Sequence, residues 1–364
     1  MIAGRLSRYF GGRFLSALLS IFIGGFCLVA LIDYIELVRR SSDAPNSSAL
    51  ISAAISLTRI PQLMEILMPF AVLVGAMMCY LNLSRRLELV IARAAGVSAW
   101  QFITPALFVA FMFGVFATTA YNPGAAYLKE QSKRLEVKYI GGSQQTSLQS
   151  TGGGFWISQK NAAGQAIINA VTSSDQGVQL GGVTVLIYDH ENHFRERIEA
   201  KAATLTGGFW RLQGVQRYTL NEPPIISPEY MLATNLTVEQ VRESFATPDT
   251  VSFWNLPFFI EKAERAGLAA AGYRLQYQKL LSRPALLVTM VLVAAAFSLR
   301  FFRFGGVQNM VLCGVTTGFV LYVLSKITDD LSKAELLHPI AAAWLPIVIG
   351  TLTGLLPLLY QEDG

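Results

Sequence analysis

The sequence predicts an α-helical membrane protein, with three spanning helices before and three after an inserted all-β domain. Three observations carry this. Of 364 residues, 52% are hydrophobic and 15% charged, where soluble domains carry roughly 25% charged residues. Six runs are apolar for the length that a bilayer-spanning helix needs, about 20 residues. Between the third and fourth runs, from about Val137 to Ala246, the composition shifts to Gly, Thr, Gln and Asn with short alternating segments.

The first run, Phe14–Val38, follows the basic stretch MIAGRLSRYFGGRF. It is too long for the apolar part of a signal peptide and no A-x-A site follows, so it is expected to be a retained helix that also starts export. Leu63–Leu83 and Trp100–Tyr121 are the second and third runs. The fourth, Pro284–Leu299, is the shortest, and its helix is expected to begin earlier, around Tyr273 and Tyr277. Phe304–Ser325 and Pro339–Tyr360 complete the set. Residues 1–121 thus hold three spans with a loop helix at 85–96, residues 122–271 the β-domain with its connectors, and residues 272–364 the last three spans. Within the β-domain, Val183–Tyr188 and Phe209–Leu212 alternate as strands do, and Gly207-Gly208 after Ala202–Thr206 is a hairpin turn.

Orientation follows from Arg and Lys in the short loops. With the N-terminus inside, the inner loops hold Arg5, Arg8, Arg13, Arg85, Arg86, Arg93, Arg300 and Arg303, against Arg39, Arg40, Arg59, Lys326 and Lys333 outside. The bias favours cytoplasmic termini and places the β-domain outside, in the periplasm for a bacterial chain. The net charge of +5 is spread along the chain without a basic tail, so no nucleic-acid partner is expected.

Catalytic signatures are missing. There is no G-x-x-x-x-G-K-[ST] phosphate loop, no G-x-S-x-G and no H-E-x-x-H. His190-Glu191-Asn192-His193 follows a strand and reads as a hairpin tip rather than a zinc site, and His338 before Pro339 reads as a helix cap. Cys27, Cys79 and Cys313 lie in apolar runs and form no CxxC pair. No catalytic residue, metal site or cofactor is expected in this chain.

Two charged stretches remain to be explained. In RRLELVIARAAG (85–96), Leu87, Val90, Ile91 and Ala94 fall on one helical face, with Arg85, Arg86, Glu88 and Arg93 off it and Gly96 as a stop. This is either an interfacial helix resting in the headgroups or a coupling helix gripped by a separate ATPase. At the outer end of the first span, Asp33, Glu36, Arg39 and Arg40 crowd a membrane boundary, where ionisable residues are paired or functional. They either pair locally, Glu36 with Arg40, or form a rim that meets an anionic headgroup, since Arg grips phosphate bidentately. Lys326 at the outer end of the fifth span could join that rim, or be neutralised by Asp329 or Asp330.

The chain resembles the lipopolysaccharide export permease family, LptF/LptG, and its LptG branch in particular. The likeness covers nearly the whole length: Arg8-Tyr9, the DYIELVRR end of the first span, the R-x-E-L-V…A-x-G loop helix, and the stretch with Gly267, Tyr273 and Pro284. It implies a jelly-roll-like periplasmic domain and an inner-membrane permease that extracts lipopolysaccharide from the outer leaflet. The implied partners are a homologous LptF-like chain, a dimeric LptB-like ATPase holding ATP and Mg, and an LptC-like anchored β-domain protein. By the same resemblance Arg85, Arg86, Leu87, Glu88, Leu89, Ile91, Arg93 and Gly96 meet the ATPase, with Glu88 at the family's coupling glutamate. Glu36, Arg39 and Arg40 match positions implicated in lipid contact, and Asp33 and Lys326 join them as candidates. Asp33 departs from the pattern, because the family often carries a basic residue there, which argues against a simple phosphate clamp at that spot. Three rivals make different demands. A mechanotransmission subunit would pass no lipid, a membrane enzyme would need clustered polar residues, and a secondary transporter would need midplane ionisable groups.

Overall fold

The computed structural model describes residues 2–41, 49–136, 155–161, 164–174, 177–189, 193–219, 223–234, 248–265, 270–302 and 307–362. Its chain divides into two compact units, the first comprising Met1–Tyr139, Asp249–Pro257 and Ala271–Gly364, the second Ile140–Pro248 and Phe258–Ala270. Gly267 lies outside the described residues, as do His190, Glu191 and Asn192.

The first unit is helical: α1 (Ile2–Ser41), α2 (Ala49–Arg85), the short α3 (Glu88–Ala94), α4 (Ala99–Phe116), α5 (Asn122–Glu136), α7 (Ala271–Phe302), α8 (Val307–Lys333) and α9 (Pro339–Glu362). Another helix, α6 (Leu256–Arg265), starts where this unit gives way to the second. Six helical stretches are long and apolar enough to cross a membrane, as the sequence predicts, and the fourth does begin at Ala271. The helices overrun the expected spans. Pro61, which ends the second apolar run in the sequence, is taken inside α2. A π-turn at Ala117–Tyr121 joins α4 to α5 without a break, so residues 122–136, expected as connectors of the β-domain, prolong the third spanning helix.

Backbone hydrogen bonding explains how these helices hold together. A proline has no N–H, so the carbonyl four residues earlier loses its donor, and lipid supplies no water to replace it. Three such carbonyls are capped from elsewhere in the unit. Pro284 frees Leu280 O, which accepts from Thr118 Oγ1 at 2.9 Å. Pro123 frees Thr119 O, which accepts from Trp254 Nε1 at 3.0 Å. Pro346 frees Ala342 O, which accepts from Thr328 Oγ1 at 3.0 Å. Close packing accompanies these bonds: a Cβ on Gly114 would lie 2.5 Å from Pro284 Cα, so only glycine lets α4 approach α7 there. His338, just ahead of α9, accepts from Ile340 N through Nδ1 at 3.4 Å, as a cap should.

In the second unit β1 (Phe155–Asn161), β2 (Gly164–Ser174), β3 (Gln179–Tyr188), β4 (Phe194–Thr206), β5 (Phe209–Thr219) and β6 (Ile225–Ala233) form one antiparallel sheet. The all-β reading holds, and the described strands pair antiparallel in sequence order. The β4–β5 turn is Gly207-Gly208, with Gly208 at φ +88°, and Trp210 just beyond it is fully buried. Alternate residues, among them Ile168, Val185, Ile198 and Leu212, bury one face.

A crease crosses this sheet. Pairing is skipped between Ala170↔Val183 and Thr172↔Gly181, Gly181↔Ala202 and Val183↔Ala200, Glu199↔Gln216 and Ala202↔Gln213, and Gln213↔Glu229 and Val215↔Ser227. The register puts Val171, Gly182, Lys201, Gly214 and Pro228 in that one row, all exposed. Gly182 and Gly214 have φ of +61° and +63°, and Pro228 cannot donate to a ladder on its edge strand. Such positions let a sheet bend around its apolar side.

Thr118→Val should cost about 1–3 kcal/mol, because it strands a buried carbonyl. Pro284→Ala supplies Leu280 O with a backbone N–H instead, so the double variant should recover most of the loss in thermal unfolding in detergent.

Candidate functional site

The helical unit carries charged features at both ends. At the end bearing the start of α1, the α2–α4 connection folds as a turn and a seven-residue helix, α3. Isolated helices this short are marginal, so α3 depends on its anchors. Leu89 and Ala92 are buried in the bundle, and Arg93 lies over the Phe102 ring at 5.9 Å. Leu87 starts the helix in the left-handed region at φ +58°, and Gly96 ends the segment at φ +82°. Arg85 closes α2 and Arg86 stands exposed in the turn.

The packing shows which side of α3 is buried. The stripe of Leu87, Val90, Ile91 and Ala94 faces away from the bundle, with Ile91 66% exposed. The buried side is Leu89 and Ala92, so Leu89 is corrected from a partner-contact residue to an anchor: at 4% exposure it has no surface to offer. Glu88, in the first helical turn where the dipole favours a carboxylate, accepts at Oε2 from the Tyr9 hydroxyl at 3.0 Å. Tyr9 Oη in turn accepts from Arg13 Nε at 3.1 Å and Nη2 at 2.9 Å.

At the opposite end the outer residues of α1 are placed as follows. Asp33 is largely buried and 3.8 Å from Arg59, so its charge is turned toward α2 and offset there. Glu36 pairs with Arg39 at 3.2 Å, three residues on; the Arg40 side chain, expected as its partner, lies outside the described residues. The Arg39 side chain is 78% exposed, and pairs this exposed are worth about 0–1 kcal/mol, so the guanidinium can change partner at little cost. Arg40 lies in the last turns of α1. On α8, Lys326 and Lys333 flank Asp330 at 3.7 and 3.9 Å, while Asp329 turns inward to the Lys279 ammonium at 2.6 Å.

Sequence reasoning missed a third group. Glu65 is buried inside α2 and accepts from Asn122 Nδ2 at 3.0 and 3.3 Å and from Arg283 Nη1 at 3.1 Å. Asn122 Oδ1 accepts from Phe253 N at 2.9 Å. Lys129 and Gln62 reach Asp249, and Phe253 stacks on Tyr277 at 5.5 Å. The segment Asp249–Pro257 is thereby fixed to α2, α5 and α7. Glu65 lies one bilayer core, about 30 Å of helix, from Arg85 at the far end of α2. The pair therefore sits at a membrane boundary and not at the midplane, where a proton-coupled carrier would need it. A lone Glu in an apolar run was the signal, but its partners are 57 and 218 residues away.

Removing one member of such a pair strands a buried charge. Arg283→Met should cost about 3–5 kcal/mol, and Glu65→Leu with Arg283→Met should regain most of it, as read by unfolding in detergent. Lys326→Ala on the exposed α8 pair should change stability by less than about 0.5 kcal/mol.

The comparisons with known proteins agree with this architecture. The family model for the lipopolysaccharide export system permease LptF/LptG matches residues 8–360. The lipopolysaccharide export system permease protein LptG of Escherichia coli K12 is 27% identical over 358 residues, 94% of each chain. Its counterpart of that name in Haemophilus influenzae is 23% identical over 351 residues, 94% of this chain and 95% of its own. From α1 to α9, then, the chain is a member of the LptF/LptG family of lipopolysaccharide export permeases.

Proposed function

We propose that this chain is the permease subunit of an ATP-driven exporter that takes lipopolysaccharide from the outer leaflet of the inner membrane. A separate cytoplasmic ATPase dimer would drive it, with ATP and Mg held there and none here. A homologous LptF-like chain would complete the cavity, and an LptC-like anchored β-domain protein would be the neighbour. The termini would be cytoplasmic and the sheet unit periplasmic.

One observation carries the reading: α3 turns its apolar stripe away from its own bundle, with Glu88 beside it bonded to Tyr9. A helix that merely padded this bundle would bury that stripe, whereas a docking helix has to offer it. Apolar surface ringed by Arg85, Arg86 and Arg93 suits a groove with both apolar and charged walls. At the other end, Arg39 has the exposure and the weak pairing that phosphate capture needs. Arg40 and Lys326 would add to that rim, whereas Asp33, offset by Arg59, contributes shape more than charge. Handover to a bridge of similar β-domains would use a sheet edge, where main-chain bonds give affinity; among the described strands β6 is such an edge and exposes Ile225, Ile226 and Met231.

Glu88→Lys should weaken association with the ATPase at least about tenfold while leaving the fold intact, because it replaces an attraction by a repulsion. Undiminished co-purification would remove the docking role. Arg39→Glu with Arg40→Glu should cut lipopolysaccharide photo-crosslinking to α1 several-fold. Parental crosslinking would take both residues out of the lipid site, and a purified complex that never carries lipopolysaccharide would favour mechanotransmission.

A further inference from the structure

We infer that Tyr9 is a positioning residue that ties the docking helix to the first span, so that force entering at α3 is delivered along α1. The inference rests on the docking role proposed for α3 and names the internal partner of its carboxylate.

The geometry is a chain of three groups. The Arg13 guanidinium donates twice to Tyr9 Oη, and the Tyr9 hydroxyl donates to Glu88 Oε2. A cation donating to the phenol oxygen polarises its O–H, which strengthens the bond passed on to the carboxylate. The bond joins residues 79 apart in sequence. Glu88 Oε1 has no partner among the described residues. The carboxylate therefore has two working sides, one engaged by α1 and one available to a cationic group on the ATPase.

What lies beyond Tyr9 gives the link its use. From Tyr9 to Arg39, α1 is an unbroken helix without proline, about 45 Å long. Of its most apolar window only 6% is buried within this chain, against 56% for α2 and 61% for α7. The helix is seated on the bundle by Phe10, Phe14 and Leu18 near its start and by Leu37 near its end, and its far end carries Glu36 and Arg39. Tyr9 itself is 43% exposed, so losing its hydroxyl leaves no cavity.

The test uses the full complex with its ATPase in proteoliposomes. Three quantities are read: ATPase association, ATP hydrolysis, and lipopolysaccharide released per ATP hydrolysed. Tyr9→Phe should keep association and hydrolysis near the parent while release per ATP falls about tenfold, the factor carried by one charge-assisted hydrogen bond. Glu88→Gln keeps an acceptor for Tyr9 but loses the charge, so it should weaken association first. The pair Tyr9→Phe and Glu88→Gln should be non-additive in release per ATP. Parental release per ATP from Tyr9→Phe overturns the inference and leaves the docking role standing. So does a fall in association that matches the fall in release, which would make Tyr9 a docking residue. The docking role fails separately, if Glu88→Lys binds the ATPase as the parent does. Should Tyr9→Phe not fold, Arg13→Gln keeps the phenol and must still lower release per ATP; parental release from it overturns the inference.

Discussion

The structure of the helical unit depends on one constraint, that a backbone carbonyl in lipid must find a donor. An apolar helix meets it internally until a proline removes an N–H. In this chain the deficit becomes a connection, since Thr118, Trp254 and Thr328 each donate across to a carbonyl that a proline has freed. Hydroxyls without such a task bond back to their own helix, as Ser20, Thr104 and Thr317 do four residues earlier. The cross-links are directional and local, so they fix which face of α5, α7 and α9 meets its neighbour. Dispersion alone would leave that choice open, because lipid tails are as apolar as leucine. The two spanning helices without a proline, α1 and α8, are also the two whose apolar windows are least buried, at 6% and 22%. These two helices therefore leave apolar surface to spare, and they are the two that carry the rim residues.

Electrostatics divides along the same line. Glu65 and Arg283 are buried, and their value lies in mutual dependence, since each would be costly without the other. They hold α2 to α7 and, through Asn122, the segment Asp249–Pro257. The Glu36–Arg39 and Lys326–Asp330 pairs are exposed and worth little to stability. Weak pairs near a membrane boundary are well suited to exchange, because an arriving phosphate displaces a partner that was contributing almost nothing. A strong pair in that position would oppose binding by the energy needed to break it.

How much of this was legible in the sequence follows from the range of each interaction. Composition and apolar length are local, and the six spans and the β insertion could be read from them. The Gly207-Gly208 turn is equally local, since two glycines between alternating runs leave few other conformations. The start of α2 was not legible, because Pro61 reads as a stop until a surrounding bundle holds the helix on both sides of it. Glu65 was illegible for the same reason, its meaning residing in Asn122 and Arg283. The buried side of α3 was not legible, because periodicity reports that an apolar stripe exists and not what the opposite side meets. A two-residue anchor, Leu89 and Ala92, outweighed a four-residue stripe, since the bundle needed the first pair and left the second for something else.

The seating of α3 bears on where work enters the molecule. Tyr9 reaches Glu88 because the anchors Leu89 and Ala92 seat α3 against the bundle with its first turn toward α1. Had the larger stripe been buried instead, Glu88 would be carried round the helix with it, and Tyr9 would have nothing to donate to. The smaller anchor therefore does two things at once: it leaves an apolar surface outside and brings a carboxylate to the first spanning helix. A helix of seven residues cannot store or generate force, but a short rigid body fixed at one side and open at the other can transmit it. With Glu88 bonded to Tyr9, a push on the open side of α3 reaches the first span directly and runs along it toward Arg39.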